Sequence, residues 1–220
     1  MEYTKEFFEK VFSTQRMARY FDRYPSDPSR TILHYQCNIL LSESMYTSLS
    51  ILEVSLRNAL SRELREMTGR EDWYAVFAGT PELRKLTPYI TTAIQHISNR
   101  REDATPSKII AELTLGFWVS LLNSEYESVL WKHLRKAFPY MPKRIRQRRN
   151  VSAPLNRFRN FRNRVFHNEA ICWNITHVRK IHDEIIQMLG WINKDIPGWM
   201  TPIDKFPGVS DEISCMLGWE

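Results

Sequence analysis

The sequence lacks several features that would place it in a class at once. Its three cysteines, Cys37, Cys172 and Cys215, are too few and too scattered for a disulfide framework or a zinc site. It has no run of about 18 apolar residues, so we predict no membrane span. The first residues, MEYTKEFFEK, have no apolar stretch of the kind that signal peptides carry, so we expect a cytoplasmic protein.

Glycine is scarce, with seven among 220 residues, and no segment alternates apolar and polar residues as a half-buried strand does. No glycine-rich phosphate loop, dinucleotide-binding pattern or serine-hydrolase elbow occurs, so NTPase, dehydrogenase and serine hydrolase functions lack support. Five of the six histidines show no metal-ligand spacing. We therefore expect neither a cofactor nor a metal site.

Helical periodicity dominates what is present. The clearest apolar row, over residues 45–67, advances in steps of three and four. We predict an all-α fold in one domain, 1–220, with an irregular tail from about residue 197 that docks on the helices. The expected helices cover residues 2–24, 28–67, 81–100, 106–123 and 124–138, followed by one after Pro154 and a last one capped by Asn174.

Charge is distributed unevenly along the chain. Residues 128–168, which we call the basic belt, contain twelve Lys and Arg, from Lys132 to Arg164, and no Asp or Glu. The rest of the chain holds 19 basic and 25 acidic residues, so an acidic body carries a strongly basic segment. This asymmetry favours a polyanionic partner, and we expect RNA.

One six-residue stretch of the belt contains three chemically useful side chains: Arg162, Asn163 and His167. When a 2′-OH of RNA attacks the adjacent phosphate, an imidazole can move the protons and a guanidinium can stabilise the phosphorane. On a helix Asn163 and His167 lie one turn apart, whereas Arg162 and His167 are separated by roughly 140°. A helix end near His167, for which Asn168 is a suitable residue, would help both to reach one phosphate.

Other residues of the belt and of the second predicted helix are assigned supporting roles. The stretch KRIRQRRN is the best candidate for contacts to the RNA backbone, since contiguous positive charge binds phosphate through counterion release. Glu53 and Arg57 are spaced to form an intrahelical pair, or Glu53 holds an arginine of the motif. The candidate RNA-binding residues are Arg144, Arg146, Arg148, Arg149, Arg157, Arg159 and Arg164.

The Arg162-x4-His167 spacing resembles the R-x4-6-H signature of HEPN-fold ribonucleases. Three blocks in order resemble more specifically the abortive-infection (Abi) family of bacterial defence proteins: residues 53–58, 115–119 and 159–171. The resemblance implies a HEPN-like helical bundle, metal-independent RNA cleavage and a site composed by two protomers. Many relatives have two consecutive histidines where this chain has His167-Asn168. With one imidazole per protomer, the acid and base roles fall to two copies across a dimer.

Three functions are therefore compared. The first is an endoribonuclease that acts as a toxin in phage defence or beside an RNA or protein antitoxin. The second is a non-catalytic RNA-binding protein of defence or regulation that uses the same belt, and the third is a helical scaffold that binds an acidic protein. Only the first has a use for His167, so its presence five residues after Arg162 favours the enzyme.

Overall fold

The computed structural model describes residues 4–219 and confirms the predicted all-α class. Over this range the chain forms helices and turns and no strand. In chain order the α-helices are α1 (Lys5–Phe12), α2 (Thr14–Arg23), α3 (Pro28–Ser44), α4 (Tyr46–Thr68), α5 (Thr87–Asn99), α6 (Pro106–Glu112), α7 (Leu115–Ser120), α8 (Lys132–Leu134), α9 (Arg148–Phe166), α10 (Ile175–Ile192), α11 (Ile196–Met200) and α12 (Phe206–Leu217).

The helices form two compact units, each assembled from separate stretches of the chain. Unit 1 comprises residues 4–46, 164–180 and 204–219, and unit 2 comprises residues 47–163 and 181–203. The division crosses α9 after Asn163 and α10 after Lys180. Neither unit is a continuous segment of the chain.

Unit 1 has an aromatic core on the helices of the N-terminal segment. Thr4 caps α1 by accepting from the backbone N–H of Phe7, and Asp27 caps α3 by accepting from that of Arg30. The core residues share low exposure and come from α1, α2 and α3: Phe8, Met17, Tyr20, Phe21 and Tyr35.

Unit 2 is organised around α4, whose predicted apolar row is buried from Leu49 to Leu64. Trp73 packs against Phe117 and Trp118 with ring centroids 6.2 and 5.8 Å apart, and its indole N–H donates to Ser61 Oγ at 3.0 Å. The aromatic residues of the later segments therefore pack against the apolar face of α4.

Several predicted helices are interrupted. The first, predicted from Glu2, which lies outside the described residues, breaks at Ser13, where φ is 71° and the hydroxyl caps α2. The second predicted helix, over residues 28–67, breaks at Met45, between α3 and α4. The segment predicted as one helix over 124–138 is instead a series of short 3-10, π and α turns, and it still buries Tyr126 and Leu130. Periodicity predicts the buried face correctly here but does not detect the breaks.

The tail differs from the predicted irregular extension, because it folds into α11 and α12. α12 buries Phe206, Ile213 and Leu217 and ends at Gly218, which adopts a left-handed conformation with φ of 66°. Its proline and glycine lie in the first turn, where a helix tolerates them, so they do not mark an irregular strap. Among the helices of residues 4–219, none combines the length and apolar character needed to cross a membrane.

Candidate functional site

The motif lies at the C-terminal end of α9. This helix begins at Arg148, earlier than predicted, and includes Pro154. Val151, Leu155, Phe158 and Val165 are buried along one face. Asn163, Arg164 and His167 are exposed, so the sequence distributes the motif and the core residues onto different faces.

The predicted helix end beside His167 is confirmed. Asn168 adopts a left-handed conformation with φ of 54°, its N–H donates to the carbonyl of Val165 at 3.1 Å, and the N–H of Glu169 donates to that of Arg164 at 2.8 Å. These two hydrogen bonds are the pattern of a Schellman cap, in which Asn is the usual substitute for glycine. His167 therefore occupies the cap position itself, with its side chain in solvent.

The chain that follows His167 is fixed from two sides within unit 1. Arg16 donates to the carbonyl of Asn168, and Arg164 donates to the carbonyl of Ala170 at 2.7 Å. Asn38, which is 3% exposed, accepts through Oδ1 from the backbone N–H groups of Ile171 at 2.7 Å and Cys172 at 3.1 Å. Its Nδ2 donates to the carbonyl of Glu169 at 3.4 Å. The turn that presents His167 is thus tied to α2 and α3.

Arg162 has an acidic partner in unit 2. Its Nη2 lies 3.6 Å from Oε2 of Glu53, and both side chains are about one-third exposed or less. This confirms the alternative in which Glu53 holds an arginine of the motif. The other interpretation, an intrahelical pair with Arg57, is wrong, because Arg57 donates to Asn58 Oδ1 at 3.4 Å. The pairing leaves Arg162 part-buried and oriented rather than fully solvated.

The Leu115–Val119 block lies in the core of unit 2, with Phe117 and Trp118 fully buried. Gly116 belongs to the same block. A Cβ placed there would meet Cδ of Arg159 at 3.9 Å, an ordinary van der Waals distance. Arg159 therefore lies beside Gly116 and stays part-exposed.

The basic belt is partly neutralised by carboxylates from outside it. Besides the Glu53 pair, Arg148 pairs with Glu127 at 2.7 Å and Arg157 with Glu184 at 2.7 Å. Arg164 pairs with Glu169 at 3.2 Å. The belt cations that form no ion pair within residues 4–219 are Lys132, Arg135, Lys136, Lys143, Arg144, Arg146, Arg149 and Arg159.

Two arginines assigned to RNA binding have structural partners as well. Arg146 donates to the carbonyls of Pro139, at 2.6 Å, and Met141, and Arg148 donates to the carbonyl of Leu122 at 2.9 Å. Arg144 and Arg149 are exposed. The KRIRQRRN stretch therefore contains cations that hold the chain and cations that face solvent. Burial lowers the pKa of His133, and the positive charges of Lys132 and Lys136 lower it further.

The structure places each predicted catalytic residue on one continuous helix or its cap. Arg162 and Asn163 belong to unit 2, where Arg162 contacts Glu53, and His167 belongs to unit 1, at the cap. Within residues 4–219 no group of three His, Cys, Asp or Glu side chains is placed to bind a metal ion. Arg16 and Asn38 were not identified from the sequence, and the only signal for Asn38 is an amide that directly precedes the apolar run Ile39–Leu41.

Comparison of the chain with family models, curated proteins and solved structures gave no match.

Proposed function

We propose that the protein is a cytoplasmic, metal-independent endoribonuclease of HEPN type, acting as a toxin in abortive infection. The observation that carries this proposal is the cap of α9: the helix ends at Phe166, so that His167 leaves it exposed five residues after Arg162. A histidine whose only role was to cap a surface helix would not need a buried asparagine to hold the turn behind it. The resemblance to the Abi family supports the same interpretation.

The proposed reaction uses only groups of the chain and the RNA. The 2′-OH loses its proton to an imidazole as its oxygen forms a bond to the adjacent phosphorus. The bond from phosphorus to the 5′-oxygen then breaks, and that oxygen receives a proton. Arg162 stabilises the additional negative charge of the phosphorane, and the products are a 2′,3′-cyclic phosphate and a 5′-hydroxyl. Asn163 orients the phosphate or the imidazole.

One imidazole does not readily serve as base for the 2′-OH and acid for the 5′-oxygen in the same step. We therefore include a homodimer in the proposal, with the second copy supplying the other imidazole and a second arginine. A toxin that cleaves RNA without a metal must be restrained in the cell, so an RNA or protein antitoxin belongs to the same proposal.

Incubation of the purified protein with total RNA in EDTA tests the enzyme. We expect cleavage to 2′,3′-cyclic phosphate ends, which terminal phosphatase and ligation assays identify. His167→Ala should lose cleavage by at least 100-fold and still bind RNA. The exposed His177 in unit 1 provides a matched control, since His177→Ala should cleave normally. Activity that EDTA abolishes and magnesium restores would refute the mechanism.

A second function, RNA binding without catalysis, is favoured by one observation. Exposed belt cations such as Lys136, Arg144 and Arg149 lack ion pairs within residues 4–219, so they are available to phosphates. A protein of this kind would bind RNA with the same salt dependence in the wild type and in His167→Ala, and neither would cleave it.

A further inference from the structure

A concave cavity of about 690 Å³ opens beside the cap of α9, entirely within unit 1. Four aromatic rings line it, from α1, α3, the start of α4 and the end of α9: Phe12, Tyr35, Tyr46 and Phe166. Its volume is in the range of small-ligand pockets, which are typically 300–1,000 Å³. Phe166 and Asn168, which both line it, are the neighbours of His167 in the chain.

The two outermost rings are unusually accessible for their size. Tyr46 is 57% exposed and Phe166 is 44% exposed, and their ring centroids lie 6.1 Å apart. Ile39, 50% exposed, lines the cavity with them. The cavity therefore offers flat apolar faces to solvent at a place where a monomeric protein gains nothing from exposing them.

Polar groups converge on the same cavity. Ser42 Oγ is buried and has no hydrogen-bond partner within residues 4–219. Glu43 and Arg16 contribute one charge of each sign, and Asn168 contributes an amide. Because the charges balance, the cavity does not attract phosphate as the basic belt does. Carboxylate, amide and hydroxyl groups instead match the donors and acceptors on the edge of a base.

We propose that this cavity is a subsite for an unpaired nucleobase of the RNA, and that it selects the position of cleavage. The inference rests on the proposed function, since a base held next to Phe166 would bring its own ribose and phosphate to His167. Aromatic faces bind bases by stacking whatever their sequence, and the hydrogen-bonding groups supply the preference. The competing occupant is a second copy of the chain, which apolar exposure alone does not distinguish.

The occupant is tested by binding, separately from cleavage. In a His167→Ala background, fluorescence anisotropy measures the affinity of a short single-stranded RNA, and of a series in which one nucleotide at a time is abasic. We expect one abasic position to weaken binding about ten-fold, as the loss of a stacked base does. Tyr46→Ala or Phe166→Ala should remove that difference, whereas Tyr46→Phe, which keeps the ring, should retain it.

Trp199, which is exposed in unit 2, provides the matched control. Trp199→Ala should bind intact and abasic RNA as the parent protein does. Equal affinity for intact and abasic RNA at every position would overturn the subsite. A Tyr46→Ala variant that still distinguishes intact from abasic RNA would also overturn the subsite. A Tyr46→Ala variant whose only change is a lower oligomeric state in sedimentation would overturn it too, and would identify a second copy of the chain as the occupant. Base-dependent binding in a wild type that cleaves no RNA would refute the proposed enzyme and leave the subsite established.

Discussion

The carboxylate of Glu53 on α4 lies 3.6 Å from the guanidinium of Arg162 on α9. Ion pairs at this degree of exposure contribute about 0–1 kcal/mol to stability, so the pair is a weak reason for the fold of unit 2. Its value to the protein is more readily explained as orientation. A guanidinium restrained on one side presents its remaining N–H groups in a fixed direction.

Glu53→Gln tests that role. Because Arg162 would be less well oriented, we expect the cleavage rate to fall by roughly ten-fold, which corresponds to about 1.4 kcal/mol of activation free energy. The melting temperature should change little. RNA affinity should be unchanged. Glu66→Gln, at an exposed carboxylate of the same helix, is the control and should cleave as the wild type does. A folded variant that cleaves as the wild type does would show that the pair does not position Arg162, and one that unfolds would show that the pair stabilises unit 2.

The basic belt is expected to divide into two kinds of arginine. Arg144 and Arg149 face solvent, so the double Ala variant should lower the slope of log K against log salt by roughly 0.7 per lost contact to single-stranded RNA. Its melting temperature should not change. Arg146→Ala and Arg148→Ala should instead lower the melting temperature, because each leaves backbone carbonyls without a donor. An unchanged slope in the first variant would place the RNA elsewhere.

Asn38 is expected to matter more to stability than its single amide suggests. Asn38→Ala leaves the N–H groups of Ile171 and Cys172 without their acceptor, and each buried unsatisfied donor costs about 1–3 kcal/mol. We expect a loss of about 2–4 kcal/mol in urea unfolding. Asn160→Ala, at an exposed position on α9, should change stability by less than about 0.5 kcal/mol. Equal effects would mean that the turn is not held by Asn38.

The sequence was sufficient for the class of fold and for the end of the motif helix. Helical periodicity predicted the buried row of α4, and the tolerance of Asn for left-handed backbone predicted the cap at Asn168. The N-cap at Asn174 is confirmed too, since it accepts from the N–H of His177 at 2.9 Å. These features depend on residues close together in the chain.

The sequence did not reveal two helix breaks or the pairing of distant residues. The breaks at Ser13 and Met45 interrupt good helical patterns, and the partner of Arg162 comes from a helix more than 100 residues away. Trp199 is a large apolar residue, yet it is exposed and does not pack into the core of unit 2. Counting charge along the chain also overstated the belt, because carboxylates from other segments neutralise part of it.

His34 should make unit 1 sensitive to acid. The ring is fully buried among Tyr20, Tyr24, Trp173 and Trp219, and neither nitrogen has a hydrogen-bond partner within residues 4–219. Burial lowers the pKa of His34 to about 4, so between about pH 6.5 and 4 the unfolded chain binds a proton that the folded chain does not.

Stability should therefore be full above pH 6.5 and fall as the pH approaches 4, by about 3 kcal/mol in all. Urea unfolding at pH 7, 5.5 and 4.5 measures the loss. His34→Phe keeps the aromatic packing and should remove this part of the pH dependence, whereas His177→Phe, at an exposed site, should not. A His34→Phe variant with the same acid sensitivity as the wild type would assign the loss to other groups.

The catalytic site is expected to contain groups from two protomers. If the two copies contribute asymmetrically, Arg162→Ala and His167→Ala proteins that are each inactive should regain some cleavage when mixed, because a heterodimer pairs the intact arginine of one copy with the intact histidine of the other. Random exchange places half of the dimers in this form, so recovery cannot exceed about half of the wild-type rate, and it stays well below that if the step needs both imidazoles. The same two proteins, separately and mixed, are measured at micromolar concentration with their mass determined by sedimentation.

Mixing His167→Ala with Asn163→Ala tests in the same way whether the amide acts from the copy that carries the histidine. A wild type that is monomeric and fully active under these conditions would refute the dimer and leave the ribonuclease proposal in place, since one imidazole would then have to move both protons in turn.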